Sequence, residues 1–70
     1  MNEAVGRNIK TARESADLTQ AQLAELIGMD QSEISRIERG SRGLSVNRLG
    51  LIAEALGVRA GDLLNDRIAA

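Results

Sequence analysis

Apolar residues recur three and four positions apart along this chain, in separate runs broken by polar and glycine positions. Val5, Ile9, Ala12 and Ala16 form the first stripe, and that spacing is one face of a helix, expected over residues 3 to 16. Glu3 and Arg7 stand on its other face at i, i+4 in the favourable order. Thr19 and Gln22 then have the Thr-x-x-Gln spacing of a capping box, in which side chains take up the free N–H groups of a helix start. A second helix follows from about Gln20 to Ile27, burying Leu23, Ala24 and Ile27, with Gly28 as its stop. Asp30 and Glu33 repeat the capping pattern and open a third helix, with Ile34 and Ile37 inward and Arg39-Gly40 at its end. Only Gly28 and Met29 separate the second helix from the next cap, so the two must turn sharply, with Met29 at the corner. After a loop from Ser41 to Leu44, Ser45 caps a fourth helix, Val46 to Leu56. Val46, Leu49, Ile52, Ala53 and Leu56 fall on one face, and Gly57 closes it. Ala60 to Asn65 reads as a short fifth helix, apolar at Ala60, Leu63 and Leu64, and residues 66 to 70 as a tail.

Five short helices without a strand pattern imply an all-α, compact five-helix bundle forming one domain over residues 1–70. Helices of this length do not stand alone, so packing must hold them. A chain of 70 residues buries only about 60% of its unfolded surface, which leaves stability marginal. Cys, His, Phe, Tyr and Trp are all absent. No disulfide, thiolate or imidazole metal site is therefore available, and no cofactor is expected. Ser32 and Ser35 lack an imidazole partner, and the carboxylates are spread over caps and solvated faces, so no catalytic centre is expected. Aromatic stacking on single-stranded nucleic acid is excluded too. No apolar run approaches a membrane span and the N-terminus has no signal-peptide pattern, so a soluble cytoplasmic protein is the expectation.

The formal net charge is −1. Its distribution matters more. Residues 34 to 48 hold Arg36, Arg39, Arg42 and Arg48 against Glu38 alone, a net of +3, while the rest of the chain carries five basic and nine acidic residues. A basic face on an acidic body is a field able to orient a polyanion.

The stretch from Leu18 to Gly40 resembles the helix-turn-helix family of phage lambda repressor and Cro, also called the xenobiotic-response-element family. The resemblance rests on Leu18-Thr19-Gln20, Leu23-Ala24, Gly28 and Ile34-Ser35-Arg36-Ile37-Glu38-Arg39-Gly40. It continues through Leu49, Ile52-Ala53, Ala55-Leu56-Gly57-Val58 and Leu63-Leu64, covering roughly residues 5 to 64. The family usually has a proline where Gly43-Leu44 stands, so the loop here takes its own path. Ser-Arg-Gly-Leu-Ser at this loop is similar to small controller proteins of restriction–modification systems. The resemblance implies a lambda-repressor-like fold, a helix-turn-helix core over 18–40, and a DNA-binding transcriptional regulator.

In such a motif the second helix enters the major groove and reads base edges from its N-terminal half. With Ile34 inward, Ser32, Arg36 and Arg39 lie opposite, Ser35 sits on the shoulder, and Gln31 reaches forward from the start. Gln pairs with adenine and Arg with guanine, so Gln31, Ser32, Ser35 and Arg36 are the candidate base readers. Glu33 lies on the flank, where it serves the capping box or accepts from cytosine. Thr19 and Gln20, at a helix N-terminus, are candidate phosphate contacts. Arg39, Ser41 and Arg42 are expected to grip a phosphate on the other side, with Arg48 less firmly placed. Arg13 and Glu38 are placed to form a partly buried ion pair between the first and third helices, a pairing the resemblance supports. The family normally dimerises on a pseudo-palindrome. Leu44, Val58, Leu63, Leu64 and Ile68 are the candidate homodimer interface, centred on residues 57–68. The alternative reading is a protein-interaction module, such as an antitoxin with a toxin partner that uses the same fold. A ligand-sensing domain is not expected.

Overall fold

Side-chain caps fix where the helices of this chain begin. Thr19 Oγ1 accepts from the Gln22 N–H at 3.0 Å, and Gln22 Oε1 accepts from the Thr19 N–H at 2.9 Å. The Asp30 N–H donates to Glu33 Oε1 at 3.2 Å, and Ser45 Oγ accepts from the Arg48 N–H at 3.2 Å. The structure, a computed structural model, describes residues 2–64. Five helices result: α1 (Asn2–Ser15), α2 (Gln20–Ile27), α3 (Gln31–Glu38), α4 (Val46–Leu56) and α5 (Ala60–Leu64). Among the described residues there is no strand. Gly28 closes α2 at φ 70, and its position in the left-handed region lets the chain double back into α3 within three residues.

Ile9, Leu23, Ile34, Ile37, Ile52 and Leu63 are almost fully buried and form one core with Val5, Ala24, Leu49, Ala53 and Leu56. Burying side chains of this size stabilises by about 1.5–3 kcal/mol each. α3 packs against both α2 and α1, and α5 lies against α1 and α4. The contact between α1 and α3 is a backbone approach. A Cβ at Gly6 would collide with the Ile37 carbonyl oxygen and stand 2.7 Å from that of Glu38. Gly40 is similarly tight, at φ 78 and with an added Cβ 2.8 Å from Glu3 Cα.

Three expectations change. Val46, read as part of the inward face of α4, is 85% exposed, because the first residue of the helix projects past the end of the core. Ala16 lies beyond the end of α1 and is exposed. Leu63, read as an interface residue, is 2% exposed: α5 folds onto α1, where Asn8 Nδ2 donates to the Leu63 carbonyl at 2.9 Å. Leu64, one step round the helix, is 51% exposed.

Candidate nucleic-acid interface

The outer face of α3 and the segments flanking it carry most of the polar side chains singled out above. Ile34 and Ile37 bury the inner face of α3. Helical steps of 100° from Ile34 then turn Ser32 and Arg36 outward, while Gln31 stands at the helix start, and all three are exposed. Arg36 and Ser32 lie side by side, with Nη2 3.5 Å from Oγ. Ser35 is half-buried on the shoulder and accepts from Arg39 Nη1 at 2.9 Å.

Behind this face sits a buried network. Arg13 Nε donates to Glu38 Oε2 at 2.7 Å and Nη2 to Oε1 at 3.1 Å, so the pair is bidentate. Arg13 Nη1 also donates to the Leu18 carbonyl at 2.7 Å. Glu38 Oε1 accepts a further bond from Gln20 Nε2 at 3.0 Å. Both charged residues are 8% exposed. The Arg13 pKa is raised, first by its hydrogen bond to Glu38, against the opposing effect of burial. The network ties α1, α3, the α1–α2 turn and the start of α2 to one carboxylate. Gln20, expected to meet phosphate, is thus held by one amide N–H with the other left for a ligand. Thr19 is exposed and its hydroxyl oxygen serves the α2 cap, which leaves the hydroxyl proton available.

Past α3 the placements diverge from expectation. The Ser41 N–H and hydroxyl both donate to the Arg36 carbonyl, at 3.0 and 3.2 Å. Ser41 therefore closes α3 and has no donor left for a phosphate in this state. Glu33 Oε2 meets Arg48 Nη1 at 3.2 Å and Arg42 Nη2 at 3.3 Å. Its pKa is lowered, first by the hydrogen bond from Asp30, then by the Arg48 hydrogen bond and the charges of Arg42 and Arg48. Both Glu33 carboxylate oxygens are engaged within the protein, which favours its capping role over contact with cytosine. Sequence spacing gave no sign of this cluster, because Glu33 and Arg48 stand 15 residues apart.

Leu44 and Leu64 line a depression of about 140 Å³ together with Val5 and Leu49. Val58 is half-buried against the core. Ile68, also expected at an interface, lies outside the described residues. Among the described residues, no helix is long and apolar enough to cross a membrane, and no group of acidic side chains could hold a metal.

Two short helices joined by a tight turn, the second with a buried apolar face and an exposed polar one, define a helix-turn-helix unit. The chain belongs to the helix-turn-helix family, whose pattern matches residues 9–63. It is 31% identical to the control protein C.SmaI of Serratia marcescens over 91% of this chain and 76% of that one. It is also 31% identical to the antitoxin PezA of Streptococcus pneumoniae over 89% of this chain. Only 39% of PezA is covered, so this chain spans about two fifths of that relative. Among solved structures, the biofilm regulator SinR in complex with DNA superposes with a TM-score of 0.83 at 31% identity, covering 87% of this chain and 98% of that one.

Proposed function

We infer that this chain is a sequence-specific double-stranded DNA-binding regulator of transcription that inserts α3 into the major groove. One observation carries the reading. α3 is fixed on its inner side by Ile34, Ile37 and the Arg13–Glu38 pair, while Gln31, Ser32 and Arg36 stand exposed together on its outer side. A rigid helix with free donors on one face is what base readout requires. Ser35 supports the readers by holding Arg39. Thr19, Gln20, Arg39 and Arg42 contact phosphates on either side and set the register.

The separation of reading from gripping is testable by selecting a preferred duplex from random sequence and measuring affinity against salt. Arg36→Ala should cost about 1–3 kcal/mol on the selected duplex and far less on mixed sequence. Arg42→Ala should weaken binding to the selected duplex and make its salt slope shallower by about 0.9, a slope change that Arg36→Ala should not produce. Uniform weakening by Arg36→Ala would remove it from the readers.

Dimerisation belongs to the same reading. Leu44 and Leu64 are the core of a two-fold surface, with Val58 and Ile68 as the other contributors named from sequence. Two copies on a pseudo-palindrome place the reading helices one turn of DNA, about 34 Å, apart. Sedimentation should show a dimer in the micromolar range that Leu64→Glu converts to monomer. A wild-type monomer at high micromolar concentration, with and without DNA, would rule this out.

The likeness to PezA supports a second reading, an antitoxin whose acidic surface holds a toxin. A stoichiometric protein partner together with no salt-dependent DNA affinity would favour it over the first.

A further inference from the structure

Glu33 is an acidic residue on a surface otherwise suited to a polyanion. Its carboxylate joins three elements: the start of α3, the loop at Arg42, and the first turn of α4 at Arg48. One oxygen, Oε2, accepts an N–H from Arg48 at 3.2 Å and forms an ion pair with Arg42 Nη2 at 3.3 Å, so the two guanidiniums are held beside each other. The Glu33 side chain is 19% exposed, whereas those of Arg42 and Arg48 are 42% and 40% exposed. The glutamate is thus the inner strut and the arginines its outer arms. Each guanidinium has five N–H donors in a fixed fork, so both keep donors for an outside oxygen acceptor.

We propose that Glu33 is a specificity-determining residue of the DNA interface, which binds Arg42 and Arg48 into one fixed phosphate grip and withholds both from loosely placed backbones. This rests on the DNA-binding reading above. A phosphate arriving in register meets two donors already in place. A phosphate out of register must either pull an arginine off Glu33 or approach the carboxylate, and both oppose binding. Glu33 therefore discriminates without touching a base, by weakening wrong complexes more than right ones.

The test uses the full chain, a selected duplex and a mixed-sequence duplex, with affinity measured against salt. Glu33→Gln keeps an oxygen able to accept the Asp30 N–H but removes the charge. The freed arginines should gain about one phosphate contact on mixed sequence, tightening that binding roughly eightfold at 0.1 M salt with a slope steeper by about 0.9. Affinity for the selected duplex should change much less, so the specificity ratio falls. Arg48→Gln leaves the α3 cap untouched and should weaken the selected duplex about eightfold at 0.1 M salt, and mixed sequence much less. An unchanged ratio in Glu33→Gln, or wild-type affinity in Arg48→Gln, overturns the grip while leaving DNA binding standing. Wild-type protein without salt-dependent affinity for either duplex overturns the underlying reading as well. A purely structural Glu33 would lower the melting temperature in Glu33→Gln and leave the ratio where it was, which also overturns the proposal.

Discussion

Gly6→Ala is expected to destabilise the fold by about 3 kcal/mol, at the upper end of ordinary overpacking. The new methyl would be driven into the Ile37 carbonyl and to 2.7 Å from the Glu38 carbonyl. A flexible side chain can move aside from such a contact, but these are backbone atoms of α3. Relief must come from lifting α1 off α3, which opens the core at Val5 and Ile9 and strains the Arg13–Glu38 pair on the next turns of α1. For a domain of this size the loss corresponds to a fall of about 12–24 °C in melting temperature. Total stability of small domains is itself only about 5–15 kcal/mol, so much of the protein would be close to unfolding at growth temperature. Gly50→Ala is the control. It lies mid-helix in α4 with nothing within 4 Å of an added Cβ, and should stabilise by about 0.5–1 kcal/mol. A thermal melt of Gly6→Ala within a few degrees of wild type would show that the α1–α3 contact is looser than described.

Gly6 also marks where sequence stopped being informative. A glycine within a helical stretch carries no local sign of its neighbour, and its partners lie more than thirty residues along the chain. Caps are different, because each is written within four residues. Thr19 with Gln22, Asp30 with Glu33, and Ser45 alone placed the starts of α2, α3 and α4 at the residues where they stand. Helix periodicity likewise identified Ile9, Leu23, Ile34, Ile37 and Ile52 as core. It failed at element ends. Val46 shares a stripe with Leu49, yet Leu49 is buried and Val46, one turn earlier, is left uncovered. Leu63 and Leu64 look alike in a five-residue helix, and only the docking of α5 on α1 decides which is inside. The outward placing of Ser32 and Arg36 followed from the same 100° step that placed the core of α3, and that of Gln31 from its position at the helix start. The engagement of Ser41 with the Arg36 carbonyl, and of Arg42 and Arg48 with Glu33, depends on the path of the 41–45 loop. That path is set by tertiary packing, and no short-range pattern encodes it.

Glu38→Gln should be as damaging as the glycine change, by a different route. The substitution keeps the shape of the side chain and one oxygen acceptor, but leaves the Arg13 guanidinium buried with no carboxylate. Removing one partner of a buried pair costs about 3–5 kcal/mol, chiefly the desolvation of the charge left behind. Arg13 cannot relieve this by losing its proton, since an arginine stays charged at any pH at which proteins fold. Salt should not rescue the variant either, because a pair 8% exposed on each side is little screened. Replacing both residues together, Arg13→Met with Glu38→Leu, removes the stranded charge, and stability should return to near that of wild type or above it. The double variant then separates two roles of Glu38. Its bond to Gln20 Nε2 is lost along with the ion pair, so Gln20 is no longer pinned at the start of α2. A double variant that melts like wild type yet binds DNA more weakly across all sequences assigns Glu38 the placing of a phosphate contact. A double variant as unstable as Glu38→Gln would mean that volume at this site, and not an unpaired charge, governs the loss.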